Sequence, residues 1–392
     1  MKGIKTSMLN KLREEFFQYF GEGSEPRTFF SPSRINIIGE HIDYNGGMVF
    51  PCAIEIGTYG LARKNDKNSL RLKSINFDKT GEVDLADLTY DEDKDWLNYA
   101  AGMSKFIDQA GYKIGGLDIL IYGNIPNGSG LSSSASLELL LGQIINAIYN
   151  QDKISRLDLV KFGQKTENDF FGLKTGIMDQ FVIGFGKKDQ AIYLNTNSLE
   201  YDYVPFKLKD HKIVIMNTNK RRELKDSKYN QRRAECDEAL VILKNYRPDI
   251  EYLCDLGQED LHLLENIQDQ TIRNRARHAI EENIRVKEAT QALGDNDIVK
   301  LGNLLKASDD SLRDLYEVTG PHLDSMTKHA NALDYCLGAR MTGAGFAGCA
   351  IAIVENDKIE EFKQYVGENY KKDTGLEAEF IMTSIGQGTR EI

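Results

Sequence analysis

The sequence has 392 residues, of which 41% are hydrophobic and 28% are charged. This composition is typical of globular proteins and excludes a disordered chain or a coiled coil. Because a single hydrophobic core seldom exceeds about 250–300 residues, the length predicts two domains. The net charge of −11 argues against a nucleic-acid partner, which would need clustered Lys and Arg. No apolar run approaches the roughly 20 residues of a membrane helix, so we expect no membrane partner.

The N-terminal residues and the cysteines indicate the compartment. Residues 1–5 (Met-Lys-Gly-Ile-Lys) lack the apolar segment of a secretory signal. The five cysteines are odd in number, scattered and never in a Cys-x-x-Cys pair, which argues against a disulfide framework or a zinc site. We therefore expect a cytoplasmic protein.

The first half of the chain mixes helices and strands. Apolar spacing predicts a first helix over 9–20, and strands and turns follow between Thr28 and Phe77. The next elements are predicted as a helix over 96–110, a buried strand over 117–122, and helices over 132–148 and 155–171. A glycine turn and the apolar run 181–183 come next.

The residue pattern of the sequence changes after about Pro205. A strand over 213–216 precedes a charged region, 220–305, that is typical of helices. The chain then closes with a helix, a Gly-rich turn, a strand over 349–354, a further helix and a last strand. The pattern predicts an α+β or α/β class with a domain boundary near residue 205.

The first of three unusual segments, residues 31–47, places Glu40, His41 and Asp43 directly after the strand-like stretch 35–38. Carboxylate acceptors beside an imidazole suit a polyhydroxylated ligand, whose hydroxyls both donate and accept hydrogen bonds. The alternative is a solvated turn in which Asp43 caps a helix. The segment taken alone favours that alternative.

The second segment, residues 123–138, runs from a buried strand through a glycine turn into a helix that begins with three serines. Glycines allow close backbone approach, and N–H groups at a helix N-terminus favour an anion. The chain contains no Gly-x-x-x-x-Gly-Lys-Ser/Thr loop. The alternative is an ordinary Ser-capped helix, but three serines exceed what capping requires, so we interpret the segment as a phosphate-binding loop.

The third segment, residues 341–351, matches Gly-x-Gly-x-x-Gly. The dinucleotide-binding form of that motif follows a strand and opens a helix. Here the sequence predicts the reverse order, a helix followed by a strand. We therefore reject a dinucleotide site and expect a second backbone cradle near the nucleotide.

Together the three segments resemble the motifs of the galactokinases, members of the GHMP superfamily of galacto-, homoserine, mevalonate and phosphomevalonate kinases. Four shorter stretches, 96–99, 166–168, 176–181 and 229–233, add to the resemblance, which extends from about residue 9 to 385. It implies an α+β, two-domain GHMP kinase fold. Residues 1–205 would form an N-terminal domain like ribosomal protein S5 domain 2, residues 206–392 would form a ferredoxin-like domain, and the site would lie between them.

The resemblance also implies a role for each matched residue. Asp179 corresponds to the catalytic aspartate, and Arg34 to the arginine that pairs with it and stabilises the transferring phosphoryl group. The implied sugar-binding residues are Glu40, His41, Asp43, Gly176 and Tyr229. The implied nucleotide-binding residues are Ser74, on the adenine side, and the phosphate loop Gly128, Ser129, Gly130, Leu131, Ser132, Ser133 and Ser134. Ser134 and Glu167 correspond to magnesium ligands.

The implied activity is that of an ATP- and Mg²⁺-dependent galactokinase, which transfers the γ-phosphate to the C1 hydroxyl of α-D-galactose. Its partners would be galactose and ATP, and we expect a monomer. Two alternatives remain: an N-acetylgalactosamine kinase with a nearly shared pocket motif, and a non-catalytic galactose sensor of the kind known in some yeasts. The sensors lack part of the serine-rich loop, whereas 132–136 is complete here and Asp179 is present.

Three positions depart from the family pattern. Ser33 replaces a glycine before Arg34, which requires a negative φ at that residue. Asp309 stands where the family usually has His, and His322 where it usually has Glu. We expect these changes to affect rate or substrate preference and not the reaction itself.

Overall fold

The computed structural model describes residues 2–126, 130–220 and 225–392. Within these ranges ten α-helices form, joined in places by short 3₁₀ turns. The helices are α1 Lys2–Phe20, α2 Asn98–Gln109, α3 Ser133–Tyr149, α4 Arg156–Lys165, α5 Met178–Phe185, α6 Lys225–Leu243, α7 Gln270–Gly294, α8 Ile298–Asp314, α9 Gly320–Asn331 and α10 Ile359–Thr374.

The described residues also form twelve strands in two sheets. The strands are β1 Arg27–Ile38, β2 Met48–Lys64, β3 Ser69–Ser74, β4 Gly81–Asp84, β5 Leu117–Gly123, β6 Gln190–Asn195, β7 Tyr201–Pro205, β8 His211–Asn217, β9 Cys336–Thr342, β10 Cys349–Glu355, β11 Glu379–Thr383 and β12 Arg390–Glu391. The larger sheet has the order β12-β1-β2-β5-β3-β4, with β6 and β7 joined to β2, and the smaller is β11-β8-β10-β9.

The arrangement of helices and of two separate sheets confirms the predicted α+β class. The smaller sheet is wholly antiparallel, with α8 and α9 packed against its β9 edge. The larger sheet draws its strands from the first 205 residues, except that β12 returns from the far end of the chain to pair with β1. The boundary at residue 205 therefore stays a prediction, since the last strand crosses it.

The buried apolar residues of both halves form one continuous core cluster, which reaches from Phe29 to Ile385. A smaller cluster packs α1 against the larger sheet through residues such as Phe16 and Phe30. In the part of the chain that the structure describes, no helix is long and apolar enough to cross a membrane.

Two elements differ from the sequence-based expectation. The helix expected over 155–171 ends as α4 at Lys165, and a single π-helical turn, Thr166–Phe170, follows. The apolar run 181–183, to which the sequence pattern assigns no element, lies inside helix α5. The third segment follows strand β9 and not a helix, so it is the connection of a β-hairpin between β9 and β10. Periodicity misassigned that stretch because a short buried apolar run is compatible with either structure.

Candidate functional site

A cavity of about 510 Å³ contains most of the residues singled out from the sequence. Its walls come from the ends of β1, α3, α5, α6 and the β9–β10 hairpin. The residues that line it include Arg34, Glu40, His41, Asp43, Tyr44, Tyr99, Gly130, Ser132, Ser133, Ser134, Glu167, Gly176, Asp179, Tyr229, Gly343 and Ala344. The three separate sequence segments therefore meet in one place.

An ion pair between Arg34 and Asp179 lies in the cavity. Arg34 projects from β1 and donates through Nε and Nη2 to the two carboxylate oxygens of Asp179, each at 2.8 Å. Asp179, in the first turn of α5, also accepts a hydrogen bond from the Ser132 hydroxyl. A further guanidinium nitrogen, Nη1, donates to the Gly130 carbonyl oxygen at 3.0 Å. The ion pair therefore connects the first segment to residues 130–134 of the second segment, here called the serine loop.

The Ser132–Ser134 part of the loop brings oxygen atoms to the same side of the cavity. Ser134 Oγ donates to Glu167 Oε1 at 2.8 Å, and Glu167 Oε2 accepts from Thr175 Oγ1 at 2.7 Å. Glu167 reaches Ser134 from the π-helical turn, a distortion that is common at functional sites. Ser132 has φ +56°, the left-handed region, directly before the first turn of α3. Backbone N–H groups at that helix start favour an anion.

Two carboxylates of the first segment, the buried Glu40 and the partly exposed Asp43, face the cavity. Glu40 accepts from the Asn36 side chain at 2.6 Å and from Gly343 N–H at 2.7 Å, so it also binds the third segment. Burial raises the pKa of Glu40 in spite of the nearby Arg340. Burial, followed by the charge of Asp179, raises the pKa of Asp43 to about 6.

Gly176 lies directly against Asp43. A Cβ atom at residue 176 would come within 2.1 Å of Asp43 Oδ2, so a side chain there would displace the carboxylate. The glycine in the Gly-Ile-Met-Asp segment therefore makes room for Asp43.

Two of the remaining predicted residues, Leu131 and Ser74, do not line the cavity. Leu131 is buried in the core, and its carbonyl oxygen accepts a hydrogen bond from Ser33 Oγ. Ser74 is buried at the end of β3, accepts a hydrogen bond from Asn76 N–H, and does not line the cavity. Gly128 and Ser129 lie outside the described residues. Ser33 is not among the described residues with positive φ, so it adopts the conformation that serine requires there.

The sequence motifs do not include the residues on α7 and β9 that contact the backbone of the first segment. On α7, Glu282 Oε1 accepts from Gly39 N–H at 2.9 Å, and His278 Nε2 lies 3.1 Å from the Glu40 carbonyl oxygen. Arg340 on β9 donates to the carbonyl oxygens of Asn36 and Ile37 at 3.2 and 3.0 Å. Nothing in the local sequence distinguishes these side chains, because the backbone groups that they contact are distant in the chain.

Comparisons with known proteins identify the family. The galactokinase galactose-binding signature matches residues 14–64, and the GHMP kinase N-terminal and C-terminal domains match 98–187 and 287–372. The galactokinase of Clostridium tetani is 52% identical and covers 98% of both chains. That of Ligilactobacillus salivarius is also 52% identical, over 97% of this chain and 98% of its own. The chain belongs to the galactokinase family. Galactokinase-family membership makes it an ATP-dependent sugar kinase.

The solved structures agree with the galactokinase assignment. A crystal structure of Lactococcus lactis galactokinase complexed with galactose matches with a TM-score of 0.94 and 48% identity, covering 98% of this chain and 100% of the other. Methanococcus jannaschii mevalonate kinase matches with a TM-score of 0.69 and 19% identity over 93% of this chain and all of that one. The second likeness concerns the fold alone.

Proposed function

We propose that this chain transfers the γ-phosphate of ATP to the C1 hydroxyl of α-D-galactose, giving galactose 1-phosphate and ADP. The observation that carries the proposal is the bidentate Arg34–Asp179 pair in a cavity that joins two different sets of groups. One set is the carboxylates of the first segment, and the other is the serine loop at the start of α3.

The sugar would bind against Glu40, His41, Asp43 and Tyr229, all of which line the cavity. Carboxylates accept hydrogen bonds from sugar hydroxyls, whereas a phenol and an imidazole N–H donate. Gly176 leaves the space in which Asp43 stands. A site that hydrogen-bonds each hydroxyl rejects an epimer strongly, because a buried polar group then loses its partner.

The phosphates of ATP would bind at the serine loop. Gly130, Ser132, Ser133 and Ser134 line the cavity at the start of α3, where N–H groups and the helix dipole favour negative charge. Gly128, Ser129 and the Leu131 backbone would complete that loop. Ser74 remains a proposed contact on the adenine side.

In the reaction, the C1 oxygen would form its bond to the γ-phosphorus while the bond to the β-phosphate oxygen breaks and ADP leaves. Asp179 would orient the C1 hydroxyl and accept its proton, and Arg34 would offset the charge that develops on the transferring oxygens. Arg34 also holds both carboxylate oxygens of Asp179, and so it fixes the orientation of the carboxylate.

The residues beside the loop also fit a magnesium ion. The hydroxyl of Ser134 and the carboxylate of Glu167 are the oxygen donors that Mg²⁺ prefers, and their oxygens lie 2.8 Å apart. Nucleotide phosphates would complete the coordination of the ion. The ion, when bound, would neutralise phosphate charge. Cytoplasmic location and a monomeric state remain predictions.

The test is an ADP-release assay with galactose, N-acetylgalactosamine, glucose and mevalonate as separate acceptors. We expect rapid ADP release with galactose and a far lower kcat/KM with glucose, its C4 epimer, since a site matched to each hydroxyl discriminates strongly. Product analysis should find the phosphate on C1. Preference for N-acetylgalactosamine, or turnover of glucose equal to that of galactose, would refute the proposed substrate.

A further inference from the structure

The carboxylate of Glu167 is held at both of its oxygen atoms. Glu167 Oε1 accepts from the Ser134 hydroxyl at 2.8 Å, and Glu167 Oε2 accepts from the Thr175 hydroxyl at 2.7 Å. Glu167 is 7% exposed, and all three residues line the cavity. The Ser134 contact belongs to the proposed magnesium site, whereas the Thr175 contact has no role in the reaction as proposed above.

The side chain of Asn168 fixes the backbone of Thr175 at two points. Asn168 Oδ1 accepts from Thr175 N–H at 2.9 Å, and Asn168 Nδ2 donates to the Thr175 carbonyl oxygen at 3.2 Å. Because a backbone N–H only donates and a carbonyl oxygen only accepts, these two contacts determine which way the amide faces. Asn168 follows Glu167 in the π-helical turn, so this turn carries both the carboxylate and the side chain that holds its partner.

The direction of the Thr175–Glu167 hydrogen bond follows from the acceptors around the hydroxyl. Thr175 Oγ1 lies 2.7 Å from Glu167 Oε2 and 3.0 Å from Asn168 Oδ1. The amide oxygen does not donate, and a carboxylate that binds a metal is ionised and does not donate either. The single hydroxyl proton therefore goes to the carboxylate, because that contact is shorter and a hydrogen bond to an ionised group is the stronger one.

The geometry also indicates which carboxylate oxygen would face the ion. Adjacent ligands of an octahedral Mg²⁺ with bonds of about 2.1 Å lie about 3 Å apart. The 2.8 Å separation of Ser134 Oγ and Glu167 Oε1 is close to that value, so Oε1 suits the metal position. Glu167 Oε2, which accepts from Thr175, is then free to orient the carboxylate.

We propose that Thr175, held by Asn168, is a positioning residue that orients Glu167 so that Oε1 and not Oε2 binds Mg²⁺. This role rests on the proposed function, which supplies the metal and the nucleotide. Hydrogen bonds from outer residues to a metal-binding side chain raise metal affinity, because they fix the orientation of the ligand. The role belongs to the Thr175 hydroxyl, which a valine of the same shape lacks and a serine retains.

Metal binding tests this role without catalysis. Electron paramagnetic resonance of Mn²⁺, used in place of Mg²⁺, measures the dissociation constant of the ion in the complex of the full chain with a non-hydrolysable ATP analogue. Thr175→Val should raise that constant about tenfold, the lower end of what outer partners of a metal ligand contribute. Thr175→Ser should bind Mn²⁺ nearly as well as the wild type, since it keeps the donor.

Thr89→Val is the matched control. The exposed Thr89 hydroxyl also donates to a carboxylate at 2.7 Å, that of Asp87, and neither residue lines the cavity. Wild-type Mn²⁺ affinity in Thr175→Val, or an equal loss in Thr175→Ser, would overturn the positioning role. Glu167→Gln then shows what has failed. If Glu167→Gln weakens Mn²⁺ binding and Thr175→Val does not, only the positioning role is wrong, whereas no loss in either variant would also refute the magnesium assignment.

A second test separates positioning from a displaced loop. Gly176, the next residue after Thr175, packs against Asp43 of the proposed sugar site, so a displaced loop would also weaken galactose binding. Thr175→Val should raise the Mg²⁺ concentration for half-maximal activity and leave the galactose KM unchanged. Asn168→Ala should raise it as well but add little to Thr175→Val, because both substitutions act through one hydroxyl. A galactose KM that rises by the same factor, or multiplicative losses in the double variant, would refute the role.

Discussion

At the scale of single residues, the site is a set of charged side chains whose hydrogen-bond partners come from distant parts of the sequence. Arg34 has 5% of its side-chain surface exposed, and Asp179 has 31%. Asp179 therefore reaches the cavity, while Arg34 is enclosed. The arrangement suits a carboxylate that meets the acceptor hydroxyl and a cation that stays fixed.

Asp179→Asn tests that interpretation. We expect the variant to fold and to bind galactose, with kcat lower by about 10²–10⁴-fold, the usual worth of positioned acid–base help. Arg34→Ala should also reduce kcat steeply, and the double variant should lose much less than the product of the two losses, because the residues act as a unit. Steady-state kinetics with melting temperatures measures this, and the exposed Asp295→Asn serves as control. Multiplicative losses would indicate that the two residues act on different steps.

Ser134→Ala and Glu167→Gln test the magnesium assignment. Each variant removes or weakens one oxygen ligand, so each should need more Mg²⁺ for half-maximal activity. Saturating Mg²⁺ should restore part of the lost rate. The measurement is a Mg²⁺ titration of activity at fixed ATP. Wild-type rates in both variants at limiting Mg²⁺ would contradict the assignment.

Asp43 predicts a pH dependence of galactose binding. Its pKa of about 6 in the ligand-free protein is raised, first by burial and then by Asp179. Sugar hydroxyls that donate to the carboxylate favour its ionised form, so the pKa should be lower in the complex. Affinity should therefore be full above about pH 6 and decrease as the pH falls through that value, by up to about tenfold per pH unit.

Calorimetric titration with galactose between pH 4.5 and 8 would measure this dependence. Asp43→Asn should bind galactose weakly and without the step near pH 6. A wild-type affinity that stays constant across this range would show that Asp43 does not receive the sugar hydroxyls.

At the scale of secondary-structure elements, helix α7 contacts the backbone of the first segment, residues 31–47. Glu282 accepts from Gly39 N–H at 2.9 Å, from Ser308 Oγ at 2.7 Å and from Arg285 Nε at 2.7 Å. Burial by itself raises the pKa of Glu282, but Arg285 and the neighbouring His278 and Arg340 outweigh it and hold the pKa at about 2. The helix thus carries an ionised, fully partnered acid beneath the site.

Glu282→Gln should destabilise the protein at neutral pH. The shift from 4.5 to about 2 corresponds to about 3 kcal/mol of unfolding free energy, at about 1.4 kcal/mol per pKa unit. Because the folded pKa is depressed, that contribution is present above about pH 4.5 and is lost as the pH falls toward 2. Urea unfolding at several pH values measures it. Glu281→Gln, on the same helix and in a longer 3.7 Å pair with Arg285, should cost much less. Equal losses in the two variants would contradict the role of the buried contacts.

At the scale of the whole molecule, the two halves of the chain share a hydrophobic core and a strand pairing as well as the cavity. One core cluster extends through both halves, and β12 returns to pair with β1. Thr389, just before β12, hydrogen-bonds Ser31 Oγ at 2.8 Å and the Ile183 carbonyl oxygen at 3.1 Å. The end of the chain is therefore part of the first sheet.

We expect the ligand-free protein to unfold in a single cooperative transition, because neither half buries its apolar surface without the other. Scanning calorimetry should find one peak, with a calorimetric enthalpy equal to the van't Hoff value. Thr389→Ala should lower that one melting temperature without splitting the peak. Two separate transitions would show that the halves fold independently.

Much of the structure of this protein can be predicted from short stretches of its sequence. The periodicity of α1, α2 and α3, the alternation of β3 and the glycine- and serine-rich segments were readable because each depends on near neighbours in the chain. The resemblance carried by 31–47, 123–138 and 341–351 predicted the family, the fold and the residues that the structure brings together around the cavity. The roles assigned to those residues stay predictions.

Only the tertiary structure decided the rest. Contacts between residues far apart in sequence determine three features of the site. These are the β9–β10 hairpin, the π-helical turn that brings Glu167 to Ser134, and the contacts of α7 with the first segment. The contacts of the Tyr316 hydroxyl with Tyr44 and Cys236 are of the same kind, since no local signal marks these residues as partners of one another. Burial and hydrogen bonding of such groups arise only when the chain is folded, and so their chemistry cannot be read from local sequence.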